Sequence, residues 1–233
     1  MVENIKNSRK KQKVLNYKSC FDIIGPIMIG PSSSHTAGAV SIGQVARKLF
    51  GKTPKKIICK YYESFAETHK GHGTDYAIIA GILGFATNDS RVPQAIELAE
   101  SEGISIEFIE MEGDSSVHHA NTACLYLEDD THSIHVTGIS LGGGTIEIKY
   151  IEIDGFIIEP QGTLPILLTL TKNENTKIGI ENILKENNIK INKIVKLEND
   201  QDYLYEFDLD SRPLPAIANE LVNFDKETRI ILL

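Results

Sequence analysis

Residues 30–36 read GPSSSHT, with three serines, a histidine and a threonine in seven positions. An apolar segment, residues 23–29, runs into them. A helical pattern with Val40, Val45, Leu49 and Phe50 leads away from them. A stretch so placed has few structural options. Pro31 fits a loop or a first helical turn, and Ser32, Ser33 and Ser34 are good N-caps, so the chain is expected to turn here into a helix. A helix start carries unpaired backbone N–H groups and the positive end of the dipole. Three rotatable hydroxyls at that point add donors, and the combination favours a small anion such as a carboxylate or a phosphate. A polar N-cap without any ligand satisfies the same pattern.

Charge narrows the class of partner. The formal net charge is −8, unevenly spread. Residues 1–18 carry Lys6, Arg9, Lys10, Lys11, Lys13 and Lys18 against Glu3 and read as a disordered basic leader. The remainder is strongly acidic, which argues against nucleic acid as the partner. No run approaches the ~20 apolar residues of a membrane span, and the N-terminus has no apolar signal core, so neither a membrane nor secretion is expected. Cys20, Cys59 and Cys124 are odd in number, far apart and in apolar contexts, as suits free thiols in a reducing cytoplasm. There is no C-x-x-C pair, so this chain alone is expected to hold no zinc or iron–sulfur cluster.

At 233 residues the chain suits one large domain or two small ones. Residues 55–62 (KKIICKYY) read as a strand. KGHGTD, residues 70–75, reads as a tight loop in which Gly71 and Gly73 leave room around His72, and Thr74 or Asp75 caps a helix over 75–85. A further helix is expected over 93–101 and a strand over 104–109. A polar loop, 112–120, ends in VHHANT, where two histidines and an asparagine can set donors and acceptors around a small ligand. Strands follow over 122–127, 133–137 and 145–153, with SLGGG (140–144) before the last. This is no dinucleotide fingerprint, because G-x-G-x-x-G with a following helix is missing. His132 and His135 lie on or beside a strand and read as structural.

Residues 155–162, with Gly155, Pro160 and Gly162, read as a boundary. Beyond it come a strand (164–170), a helix (176–186), two strands (189–197 and 203–209), a helix (215–223) and a strand (228–232). The order βαββαβ is the ferredoxin-like split β-α-β pattern. The expectation is an α+β chain with a leader over 1–18, one unit over 19–157 and a smaller one over 163–233.

GPSSSHT, KGHGTD, HxNT and SLGGG, in this order, resemble the β subunit of the bacterial iron–sulfur-dependent L-serine dehydratases, from about residue 19 to about 155. The tail resembles an ACT domain, a small amino-acid-sensing module. The resemblance implies an allosteric-substrate-binding-type first domain and conversion of L-serine to pyruvate and ammonia. It also implies a 4Fe–4S cluster held by cysteines of a partner α subunit. By the same motif match, His72 is the candidate for proton transfer, and His35 and His119 orient it or hold substrate. Ser32, Ser33, Ser34 and Thr36 would contact the carboxylate, with Gly73, Thr74 and Asn121 beside them.

Two departures stand out. Ala120 replaces the proline of the family's usual His-Pro-Asn-Thr. The ACT ligand turn, here residues 171–176 (TKNENT), has no glycine, so self-association is the expected role of the tail rather than sensing. A second reading is a non-catalytic regulator that binds an amino acid at SSSHT. The paired His35 and His72 separate the two readings, since carboxylate binding alone does not need both.

Overall fold

The computed structural model describes residues 26–233. The expected leader and Cys20 lie outside the described residues. The first sheet contains β1 (Lys56–Tyr62), β2 (Ser105–Glu110), β3 (Thr122–Glu128), β4 (Ser133–Gly142), β5 (Thr145–Ile153) and β6 (Phe156–Ile158). Their order is β2-β1-β3-β4-β5-β6. β1 and β2 are parallel, and the other neighbours are antiparallel. A parallel pair needs a crossover. Here α2 (Glu63–His72), α3 (Thr74–Ile82) and α4 (Ala95–Ser101) supply it, while α1 (Gly38–Phe50) precedes the sheet.

Strand periodicity places the core. On β1, Ile57, Cys59 and Tyr61 are fully buried, while Ile58, Lys60 and Tyr62 alternate to the other face. The buried set meets Val40, Ile42, Leu49 and Phe50 of α1 and Ile78, Ile79 and Ile82 of α3. α1 and α3 touch backbone to backbone. A Cβ on Gly43 would stand 2.2 Å from the Ile78 carbonyl oxygen, and one on Gly81 would stand 2.1 Å from that of Val40. The two glycines therefore bring α3, and with it the corner at its N-terminus, close against α1.

The second sheet holds β7 (Ile166–Thr171), β8 (Ile191–Glu198), β9 (Tyr203–Leu209) and β10 (Arg229–Leu232), ordered β10-β7-β9-β8 and antiparallel throughout. With α5 (Thr176–Glu186) and α6 (Pro215–Val222) this is the split β-α-β arrangement expected from the tail. One face carries Leu167, Tyr205 and Phe207 against Ile180 and Leu184 of α5 and Leu221 of α6. Ile166, Leu168, Leu204 and Ile231 instead join the apolar cluster of the first unit. Arg229 of β10 reaches across as well, pairing with Asp154 at 2.9 Å and donating to the carbonyl of Leu49. Among the described residues the architecture is α+β, with six α-helices and two sheets.

Three local expectations change. Residues 155–162, read as a boundary, contain β6, which pairs with β5. The strand expected over 133–137 runs on to Gly142, through register shifts at Thr137/Gly138 and Ser140/Gly142. The β-branched signal lapses at Gly138, yet a glycine is what that position requires, because a Cβ there would come within 2.9 Å of Ile42. Finally, residues 63–72 are helical, and this bears directly on KGHGTD.

Candidate functional site

Ser32 is the N-cap expected of it. Its backbone is extended (φ −143°, ψ 130°), and its Oγ accepts the His35 N–H at 3.2 Å. The next residues, Ser33–Ala37, form a wide π-helical turn before α1 begins. Such turns recur at functional sites because they re-aim side chains. Here the turn sends His35 inward, where it is 8% exposed. Ser34 Oγ lies 2.9 Å and Ser32 Oγ 3.4 Å from His35 Nδ1, while Ser64 Oγ lies 3.4 Å from Nε2. Burial holds the His35 pKa below its ordinary value, and the neighbouring His72 lowers it further. His35 is thus kept neutral and surrounded by hydroxyls.

KGHGTD is not a loop. Lys70, Gly71 and His72 form the last turn of α2, Gly73 alone makes the corner, and α3 starts at Thr74. Gly73 adopts φ 73°, the left-handed C-cap conformation that glycine takes without strain. A Cβ there would also meet the Tyr76 hydroxyl at 2.1 Å. His72 is exposed and stands edge-on to His35, ring centroids 4.7 Å apart. Thr36 is fully buried, and its hydroxyl donates to the His72 carbonyl at 3.2 Å. Thr36 therefore ties the two motifs together rather than facing a ligand. Thr74 is also fully buried, and Gly73 is buried with it, so neither presents a side-chain group to a substrate from this conformation.

The third motif arrives from β3. His119 Nδ1 accepts the Asn121 N–H at 3.1 Å, a bond that places the ring proton of the neutral imidazole on Nε2. The His119 carbonyl accepts from Thr122 Oγ1. Asn121 Nδ2 donates to the Ser140 carbonyl at 3.3 Å, and Ser140 Oγ donates to the Ser34 carbonyl at 2.9 Å. The loop 115–121 is also fastened to the start of α2. Ser115 N–H donates to Glu63 Oε1 at 3.2 Å, and Phe65 N–H donates to the Ala120 carbonyl at 3.2 Å. Glu63 and His118 both hold positive φ (48° and 51°), conformations that are strained for residues with a Cβ and that cluster at functional sites.

All four motifs thus meet on one surface. Direct contacts join His72, His35, Ser32 and Ser34, Ser140 links Asn121 and with it His119 to Ser34, and Ser33 lies partly exposed on the same turn. Ser64 and Ser140 belong to this network; Ser64 was not singled out from the sequence, and Ser140 was named only as the first residue of SLGGG, without its contact to Ser34. Ser64 was traceable in principle: Phe65, His69 and His72 recur at helical spacing, which marks residues 63–72 as one helix face. Ser140 was not, because it meets Ser34 only through the tertiary fold.

Cys59 is a buried free thiol pushed up by burial, and Cys124 is a partly buried one held up by the same cause. Among the described residues no group of three or more His, Cys, Asp or Glu is placed to hold a metal ion. No helix among them is long and apolar enough to cross a membrane.

The profile of the family described as serine dehydratase beta chain matches residues 19–149, which contain all four motifs. A Bacillus subtilis (strain 168) relative named "Probable L-serine dehydratase, beta chain" is 50% identical over 179 residues, covering 76% of this chain and 79% of its own. The Peptoniphilus asaccharolyticus "L-serine dehydratase, beta chain" is 37% identical over 150 residues, or 64% of this chain and 67% of its own. The match to Escherichia coli (strain K12) "L-serine dehydratase 2" is 30% over 158 residues and covers 61% of this chain but only 34% of that protein. By the extent of the family match and by the two β-chain relatives, this chain belongs to the serine dehydratase β-chain family.

Proposed function

We propose that the chain is the β subunit of a two-subunit enzyme that converts L-serine to pyruvate and ammonia, and that its four-motif surface is one wall of the active site. The observation that carries this reading is the pairing of an exposed His72 with a buried His35 at the opening turn of α1. An acid–base group open to a partner and backed by a fixed neutral ring is what proton abstraction from an amino acid needs. Histidine ordinarily titrates near neutral pH.

In this reading Ser33 binds the serine carboxylate, while the His35 and Thr36 N–H groups of the same turn are held by Ser32. His72 takes the Cα proton. The electron pair of the Cα–H bond forms the Cα=Cβ bond as hydroxide leaves Cβ. The resulting enamine tautomerises and hydrolyses, releasing ammonia. The donor set of the described residues does not fit a 4Fe–4S cluster. In this reading a 4Fe–4S cluster would be held by cysteines of the α subunit, and no residue of this chain is given the departure of the hydroxyl. Amino-acid sensing by the second unit is not part of the proposal, because its TKNENT turn is closed on itself: Asn173 N–H donates to Thr171 Oγ1 at 3.1 Å and Asn175 N–H to Asn173 Oδ1 at 3.0 Å.

The test is steady-state pyruvate formation by the anaerobically reconstituted complex. His72→Ala should lower kcat by ~10²–10⁴, the usual loss for a general base, with complex formation unchanged on gel filtration. Near-normal kcat in an intact complex would remove this wall from the chemistry and favour an amino-acid-binding regulator.

A further inference from the structure

His72 is flanked by Gly71 and Gly73, so its backbone has more intrinsic freedom than most catalytic positions have. What limits that freedom lies three residues to either side. His69, in the last turn of α2, is buried with its side chain 3% exposed. Its Nδ1 lies 2.6 Å from Asp75 Oδ1, across the Gly73 corner and into the first turn of α3. Its Nε2 lies 2.9 Å from Glu110 Oε1, at the end of β2. Lys70 Nζ holds the same Glu110 oxygen at 2.8 Å. The Tyr61 ring lies against the imidazole at 4.9 Å.

We infer that His69 and Asp75 are positioning residues for His72: they close a buried clamp over the α2–Gly73–α3 corner and set the ring of His72 against that of His35. This rests on the role given to His72 above. Stability alone does not call for such a pair, since packed apolar residues of similar volume can stand in for buried polar partners without loss. A directional bond fixes an angle, which apolar packing does not. Both partners also suit the helix ends they occupy, a histidine at a C-terminus and an aspartate at an N-terminus, so the clamp favours the two helices stopping and starting at this corner. The two ends of the clamp bracket His72 in sequence, at positions 69 and 75. Thr36, bonded to the His72 carbonyl, ties the corner to the turn that carries His35.

The experiment compares Asp75→Asn, which is isosteric, with His69→Gln and the double variant, in two settings. In the complex with the α subunit, each single variant should lower kcat roughly 10- to 100-fold, as small misplacements of a reacting group do, with KM within about 2-fold. The double variant should be no worse than the poorer single one, because the two residues act as a unit. In the full chain alone, labelled at histidine ring carbons, the His72 resonance should move and broaden in each variant although residue 72 is unchanged. A purely structural pair would lower the melting temperature and leave that resonance in place, and that outcome overturns the inference whatever happens to kcat. A shifted resonance with unaltered kcat keeps the clamp and instead removes the catalytic role of His72. If His69→Gln does not fold, Asp75→Asn supplies both readouts.

Discussion

The ring of His72 stands at 87° to the ring of His35, centroids 4.7 Å apart, one exposed and the other buried. A proton on His72 makes a second proton on His35 less favourable, and burial already disfavours charge there. The pair is asymmetric by construction: one ring is open to solvent, and the other is buried, where charge is disfavoured.

That asymmetry makes stability depend on pH. The pKa of His35 lies below its ordinary value of 6.5 in the folded chain, so the unfolded chain binds the proton more readily. Its contribution is fully present above about pH 6.5 and is lost as pH falls through the folded value. In thermal melts between pH 8 and pH 5, His35→Gln should therefore lose less stability on acidification than the parent, and the difference between the two slopes isolates the contribution of His35. An unchanged slope in the variant would mean that His35 is not held neutral by the fold.

Ser33 offers a test of the carboxylate site. Ser34 Oγ lies 2.9 Å from His35 Nδ1 and Ser32 Oγ accepts the His35 N–H, so changing either disturbs the ring. Ser33 is partly exposed beside them. Ser33→Ala should raise KM for serine several-fold while kcat changes little, since the lost contact is common to ground and transition states. A fall in kcat at constant KM would place Ser33 in the chemistry instead.

Two glycines should respond to alanine with opposite signs, Gly81 inside the contact of α1 with α3 and Gly71 outside it. Gly81→Ala would drive a Cβ into the Val40 carbonyl at 2.1 Å and the Gln44 nitrogen at 2.8 Å, both backbone atoms that cannot rotate away. It should destabilise by about 1–3 kcal/mol or more, outweighing the helix propensity gained. A Cβ on Gly71 meets nothing within 4 Å, so Gly71→Ala in α2 should stabilise by about 0.5–1 kcal/mol. Chemical denaturation of both variants decides it, and a stabilised Gly81→Ala would refute the close approach of the helices.

Glu206 titrates in the opposite direction. On β9 it shares a face with Leu204, which joins the core of the first unit, and with Asp208. It is 3% exposed, and burial first, then the Asp208 charge, push its pKa up from 4.5 to about 7, against the opposing pull of Lys193. The folded chain favours the protonated form, so this contribution is complete below about pH 4.5 and disappears as pH rises through 7. Glu206→Gln, which keeps the neutral shape, should match the parent near pH 4.5 and exceed it by roughly 3 kcal/mol at pH 8. Equal stability of the two proteins at pH 8 would show that Glu206 ionises without difficulty where the second sheet meets the first unit.

Local chemistry is what the sequence by itself determined. Serines before an amphipathic run cap a helix, alternating β-branched residues form strands, and the βαββαβ order of the tail closes into one sheet, because each depends on neighbours within a few residues. The four motifs were legible for the same reason. Tertiary structure decided what those motifs touch. The glycines of KGHGTD read locally as a loop, yet Phe65 and His69 pack inward and carry the helix through Gly71 to His72. Thr36 and Thr74 read as ligand contacts and were buried, because α1 and α3 meet at Gly43 and Gly81. Ser140 and Ser64 reach the site from distant strand and helix positions. The second sheet shares its apolar face with the first unit, and no local pattern encodes which face of a strand finds a partner. Hydrogen-bond geometry across long sequence separations arises only when the core closes, and that step sets His72 over His35.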